Sequence, residues 1–144
     1  MKPGKSTPIV NNTPAIRKLE PSQSLLEIIE KELISINDIY NNLSTKYDDK
    51  ACDKLEKRFV QTRKMFKGTL MDLSNVHQSY IIRSEKRKEA VGNILKSSTG
   101  VAKIFHNAQE SKHFDRPVCT DAIENLIFDL KNLKHIIVEQ GKQI

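Results

Sequence analysis

Between Ser22 and Lys96 the chain has no proline, and its apolar residues return at alternating intervals of three and four. That rhythm matches the 3.6-residue turn of an α-helix and gathers the apolar side chains into one stripe, so long helices are the expected elements. No useful length of chain alternates with the period of two that a half-buried strand needs. The expected fold class is all-α, an elongated helical bundle or coiled coil.

Ser24 and Glu27 have the spacing of a capping box, and Leu26, Ile29, Leu33, Ile36, Tyr40, Leu43 and Tyr47 follow as an unbroken seam. This predicts a first helix over about 24–47, with Ile28, Ile34 and Ile39 widening its stripe toward more than one neighbour. Asp48-Asp49-Lys50 interrupts the register. A new phase runs through Cys52, Leu55, Phe59, Thr62, Phe66, Thr69, Leu73, Val76 and Tyr80, and its extension passes Arg83, Arg87, Ala90 and Ile94. The expectation is one long central helix over about 50–96, roughly 70 Å long at 1.5 Å per residue, which either breaks near Gly92 or around Arg83 or, as the favoured reading, makes the molecule a rod. Ser97-Ser98-Thr99-Gly100 reads as a break, followed by a short helix over about 100–112 that carries Val101, Ile104, Phe105 and Ala108. Pro117 places a loop before a last helix over about 121–140, capped by Thr120 or Asp121. Its seam is Ile123, Leu126, Leu130, Leu133 and Ile137, with Gly141 as terminator.

Four of the five prolines stand within the first 21 residues, together with Lys2, Lys5, Arg17, Lys18 and Glu20. Residues 1–21 therefore read as a disordered basic tail, either a solubilising extension or a docking arm, ahead of one helical coiled-coil domain over 22–144.

Hydrophobic residues are 38 % of the chain and charged residues 29 %, and no apolar run approaches the roughly 18 residues of a membrane span. The N-terminus lacks the apolar stretch of a secretory signal, which points to the cytoplasm, with the nucleus as the alternative. Cys52 and Cys119 lack Cys-x-x-Cys spacing and read as reduced structural thiols. His77, His106, His113 and His135 include no pair at the i, i+4 spacing of a helical metal site. There is no phosphate-cradling glycine loop and no nucleophile elbow, and the Asp48-Asp49 pair suits a helix junction better than acid–base chemistry. A non-enzymatic protein without cofactor or metal is expected.

Lysine and arginine number 24 against 18 acidic residues, a formal charge of +6. One cluster comprises Lys54, Lys57, Arg58, Arg63, Lys64 and Lys67, interrupted only by Asp53 and Glu56. It either follows a phosphate-bearing surface or forms the solvated face of a coiled coil. In the second cluster, Arg83, Lys86, Arg87 and Lys88, both arginines fall on the seam, where an unpaired charge is costly to bury. From Tyr80 to Ile94 the chain is thus expected to be exposed in isolation, either meeting an acidic partner or projecting into water.

Tyr40-Asn41-Asn42-Leu43-Ser44-Thr45, then Arg58-Phe59-Val60 and Met71-Asp72-Leu73-Ser74-Asn75-Val76, resemble the KxDL-motif family, with Leu70 standing where that family has lysine. The resemblance covers about 40 residues and implies a small helical subunit of a lysosome-associated coiled-coil complex. Two functional readings follow. One is a helical subunit or adaptor of a larger assembly, vesicle- or lysosome-associated, cytoskeletal or kinetochore-like, that packs as a coiled coil with other chains in a hetero-complex rather than a homo-oligomer. The other is a basic helical protein that binds nucleic acid or an acidic membrane surface.

Overall fold

The computed structural model describes residues 21–74 and 81–141, with side chains over 24–71 and 85–141. The expected tail lies outside the described residues as far as Glu20, its last residue Pro21 opening the first helix, and Val76, Tyr80 and the side chains of Leu73 and Arg83 lie outside them too. Among the described residues four helices form, α1 (Pro21–Asn41), α2 (Asp49–Ser74), α3 (Ile81–Ser111) and α4 (Arg116–Gly141), and the described chain is all-α. The main packing pairs are α2 with α3, α3 with α4 and α4 with α1.

Every cross-helix contact fits antiparallel neighbours. Glu56 of α2 meets His106 and Gln109 of α3. Arg87 of α3 meets Gln140 of α4, and Glu30 and Tyr40 of α1 meet Lys134 and Glu124 of α4. The chain therefore runs up, down, up and down, with α1 closing the bundle against α4.

The single helix expected over about 50–96 does not form, because the chain reverses between α2 and α3. Phe59 stacks on Phe105 with ring centroids 6.0 Å apart, a contact a straight rod could not make. The reversal lets the seam of α2 be covered by α3 of the same chain.

The break expected at Ser97-Ser98-Thr99-Gly100 is also absent, and α3 runs through it. Ser98 is fully buried on the seam, and its hydroxyl donates to the carbonyl of Leu95 at 3.2 Å. Ser97 donates likewise to Asn93 at 3.0 Å. Both hydroxyls are satisfied by the helix's own carbonyls, so they do not divert the backbone. The short helix expected over 100–112 is the second half of α3.

The helix termini follow from local side chains. Asn42 ends α1, its Nδ2 donating to the carbonyl of Asp38 at 2.8 Å, so Leu43 and Tyr47 fall in a loop instead of extending the helix. Asp48 caps α2 by accepting from the backbone N–H of Ala51 at 3.1 Å. Asp115 caps α4 by accepting from Val118 N–H at 3.2 Å, in place of Thr120 or Asp121. Pro117 consequently sits in the first turn, where its missing donor removes no helical bond. α1 begins at Pro21 for the same reason, and Ser24 lies inside it.

The core is a sequence of layers. Leu25, Ile29, Leu33 and Ile36 come from α1, and Cys52, Phe59 and Phe66 from α2, with Thr62 between them. Val91, Ile94, Val101, Phe105 and Ala108 come from α3. On α4 the buried series Cys119, Ile123, Leu126, Leu130, Leu133, Ile137 and Gln140 keeps the three–four spacing to its end. Tyr40, on the expected seam, is only half-buried and donates its hydroxyl to Glu124. Near one end of the bundle, Phe59, Phe105 and Phe114 form a ladder with both interplanar angles at 12°.

Candidate docking faces

The bundle divides its charge by helix pair. α2 carries seven basic and four acidic residues and its neighbour α3 six and three, whereas α1 carries one and four and α4 three and four. One half of the molecule is therefore basic and the other acidic.

The six residues of the first basic cluster do not act alike. Lys54, Lys57, Arg63, Lys64 and Lys67 are exposed on α2, and Lys57 pairs with Asp53 one turn earlier at 3.1 Å. Arg58 instead turns inward toward α1. It donates to Glu32 Oε1 at 2.8 Å, to Ser35 Oγ at 2.9 Å and to Thr62 Oγ1 at 2.7 Å. Thr62 passes the chain on by donating to Glu32 Oε2 at 2.9 Å. Glu32 is 7 % exposed and would be costly to hold there without these donors. Arg58 thus belongs to the internal α1–α2 contact and not to an outer patch.

The second cluster is likewise redistributed. Ile94, expected among partner-binding residues, is fully buried in the core and has no surface to offer. Arg87 is half-buried, and its Nε donates to Oε1 of Gln140 at 2.7 Å. The arginine on the seam therefore meets the last buried position of α4 in the same chain. Lys88 pairs with Glu85 at 3.4 Å, and Lys86 is exposed. Tyr80 and the side chain of Arg83 lie outside the described residues.

Two features gave no signal in the sequence. The first is Phe128, which points away from the α4 seam and is 68 % exposed. It stands beside an open groove between α3 and α4, lined also by Asn93, Lys96, Ser97, Asn125 and Asp129. Ile34 on α1 is 73 % exposed, although the sequence places it on a widened apolar stripe. The second is a clasp between the two loops at one end of the bundle. Tyr47 and Lys112 both reach Asp49, the tyrosine by its hydroxyl and the lysine Nζ at 3.2 Å. Lys112 takes the left-handed conformation, with φ of 59°, that ends α3, and its ammonium lies 5.8 Å from the centre of the Tyr47 ring. The Tyr47 hydrogen bond, then Lys112, hold the Asp49 carboxyl below its ordinary pKa.

Cys52 and Cys119 are both free and buried. Burial pushes the Cys52 thiol up and the Cys119 thiol up to about 12, so neither is a ready thiolate. Among the described residues no group of His, Cys, Asp and Glu could hold a metal ion, and no helix is long and apolar enough to cross a membrane. No family model, curated protein or solved structure matches the chain.

Proposed function

We propose that this protein is a non-enzymatic helical subunit or adaptor of a larger assembly, docking other helical chains on the outside of its bundle. The supporting observation is Phe128: a large aromatic side chain stands in solvent beside a groove, while the bundle's own core is filled. A partner helix that places an apolar side chain against Phe128 would meet polar groups on both walls, Asn93 and Ser97 on α3 and Asn125 and Asp129 on α4. That arrangement has the apolar centre and polar rim of a docking site. The resemblance to the KxDL-motif family favours the same class, a vesicle- or lysosome-associated helical complex with a cytoplasmic address.

Cys52, Phe59, Thr62 and Phe66 of the α2 seam are already buried within the chain, so the docking face lies on the outside of the bundle and not along those residues. The test is a photo-crosslinking amino acid placed at position 128 in the full chain within its own cell, with a control at the exposed position Lys131. Adducts to one defined helical protein from position 128, absent from position 131 and removed by Asn125→Arg, support the proposal. Absence of adducts, or the same adducts from both positions, overturns it.

A further inference from the structure

The antiparallel packing of α2 on α3 builds a surface that neither helix has alone. From Lys57 to Met71 there is no acidic residue, and from Ala90 to Gln109 there is none either. With Phe59 opposite Phe105 and Glu56 opposite Gln109, these two acid-free stretches lie side by side in the bundle. Lys57, Arg63, Lys64 and Lys67 on α2 and Lys96 and Lys103 on α3 are all exposed. Helical spacing puts Lys57 and Lys64 opposite the α2 seam of Phe59, Thr62 and Phe66, and Lys96 and Lys103 opposite the α3 seam of Ile94, Ser98, Val101 and Phe105, while Arg63 and Lys67 flank the α2 seam.

We infer that this face binds an acidic phospholipid surface. Its shape is the first reason: two antiparallel helices, about 8–10 Å apart, present a broad and nearly flat strip. Over the ten residue steps from Lys57 to Lys67 the strip extends roughly 15 Å along α2. A plane of separated anionic headgroups meets such a strip at several cations together, Lys64 and Lys103 foremost, whereas a nucleic-acid duplex is convex and is read by an element that enters its grooves. The second reason is composition. Five of the six cations are lysines, strongly hydrated point charges suited to diffuse attraction, and only Arg63 offers a bidentate fork. No phenylalanine, tyrosine or tryptophan is exposed on the strip to stack a base, and among the described side chains of α2 the one exposed large apolar group is Met71, 62 % exposed. The strip also has defined borders. Glu56 and Glu110 bound it at one end, both reached by His106 at 3.3 and 3.4 Å, and Asp129 stands across the α3–α4 groove from Lys96.

The experiment is co-sedimentation of the full chain with phosphatidylcholine vesicles, with and without phosphatidylserine, at about 50 mM salt, where screening is weak. Binding is expected only with phosphatidylserine. The double variant Lys64→Gln with Lys103→Gln should weaken it about thirtyfold, near fivefold for each cation removed. Lys31→Gln with Lys131→Gln removes the same net charge from the acidic half and should change it by less than about twofold. Lys64→Arg with Lys103→Arg, which keeps the charge, should retain binding. Both glutamine doubles replace exposed side chains, and coincident thermal melts with the parent protein show that they remain folded. Equal loss in the two glutamine doubles would assign binding to net charge and overturn the inference. So would equal binding to neutral vesicles, or affinity for duplex DNA matching that for phosphatidylserine vesicles.

Discussion

The guanidinium of Arg87 on α3 and the amide of Gln140 on α4 are joined by a 2.7 Å hydrogen bond across 53 residues of sequence. Gln140 is 6 % exposed and occupies the last position of the α4 seam, so the contact holds the final turn of α4 against the third helix. Gln140→Leu keeps the volume and removes the acceptor. It should lower the free energy of unfolding by about 1–2 kcal/mol, with helicity unchanged, as measured by urea denaturation.

The Glu32–Arg58–Thr62 cluster should be more sensitive. Arg58→Ala leaves a nearly buried carboxylate without its main donor and should cost about 2–3 kcal/mol. Glu32→Leu combined with Arg58→Met should recover most of that loss, because an apolar pair of similar size leaves no charge unpaired. Chemical denaturation of both variants separates the two outcomes, and equal instability would show that the cluster is not acting as a charge pair.

Phe105 lies between Phe59 and Phe114 in the aromatic ladder. Phe105→Ala should destabilise the fold by about 3–5 kcal/mol, and Leu130→Asp, which buries a charge among apolar layers, should abolish cooperative unfolding. Thermal melts followed by circular dichroism check both. A Leu130→Asp protein that melted like the parent would show the α4 seam to be misassigned.

The α4 seam and most of the α1 and α2 seams are legible in the sequence, because every third or fourth position from Ile123 to Ile137 is aliphatic and no other element type tolerates that rhythm. The reversal between α2 and α3 is not legible. Antiparallel neighbours share one heptad rhythm, so a phase that runs on from Phe66 toward Ala90 looks the same whether the chain turns or continues. Ser97 to Gly100 misleads for a different reason. Loop-forming composition is indistinguishable from a helical segment whose hydroxyls bond back to the preceding turn. Arg58 and Arg87 look like surface or partner-facing cations until the residues opposite them, Glu32 and Gln140, are placed in space. Phe128 is hidden in the sequence as one more apolar residue on an apolar helix.

The Asp49 carboxyl is held below its ordinary pKa by the hydrogen bond from Tyr47 and by Lys112. A depressed carboxyl contributes stability above its unfolded pKa, near 4, and loses it as pH falls through the lower folded value. Asp49→Asn should therefore flatten the part of the acid stability profile below about pH 4, and an NMR titration of Asp49 should give a midpoint below the ordinary aspartate value. A midpoint at or above that value would show the loop clasp to be open in solution.

Both thiols should resist modification while the bundle is closed. A disulfide-exchange reagent at about pH 8 should react with neither Cys52 nor Cys119 in the native protein and with both after denaturation. Fast native-state labelling of Cys119 would mean that the layer beneath the loops opens readily.

Closure of the bundle by α1 against α4 also dictates the order of events during synthesis. α1 is synthesised before α4, so the surface that covers Leu25, Ile29 and Leu33, around Ile123 to Ile137, is made well after the stripe it covers. Until α4 emerges, α2 can pair with α3 and hold α1 through Arg58 and Glu32, while the apolar stripe that α1 turns toward α4 stays uncovered.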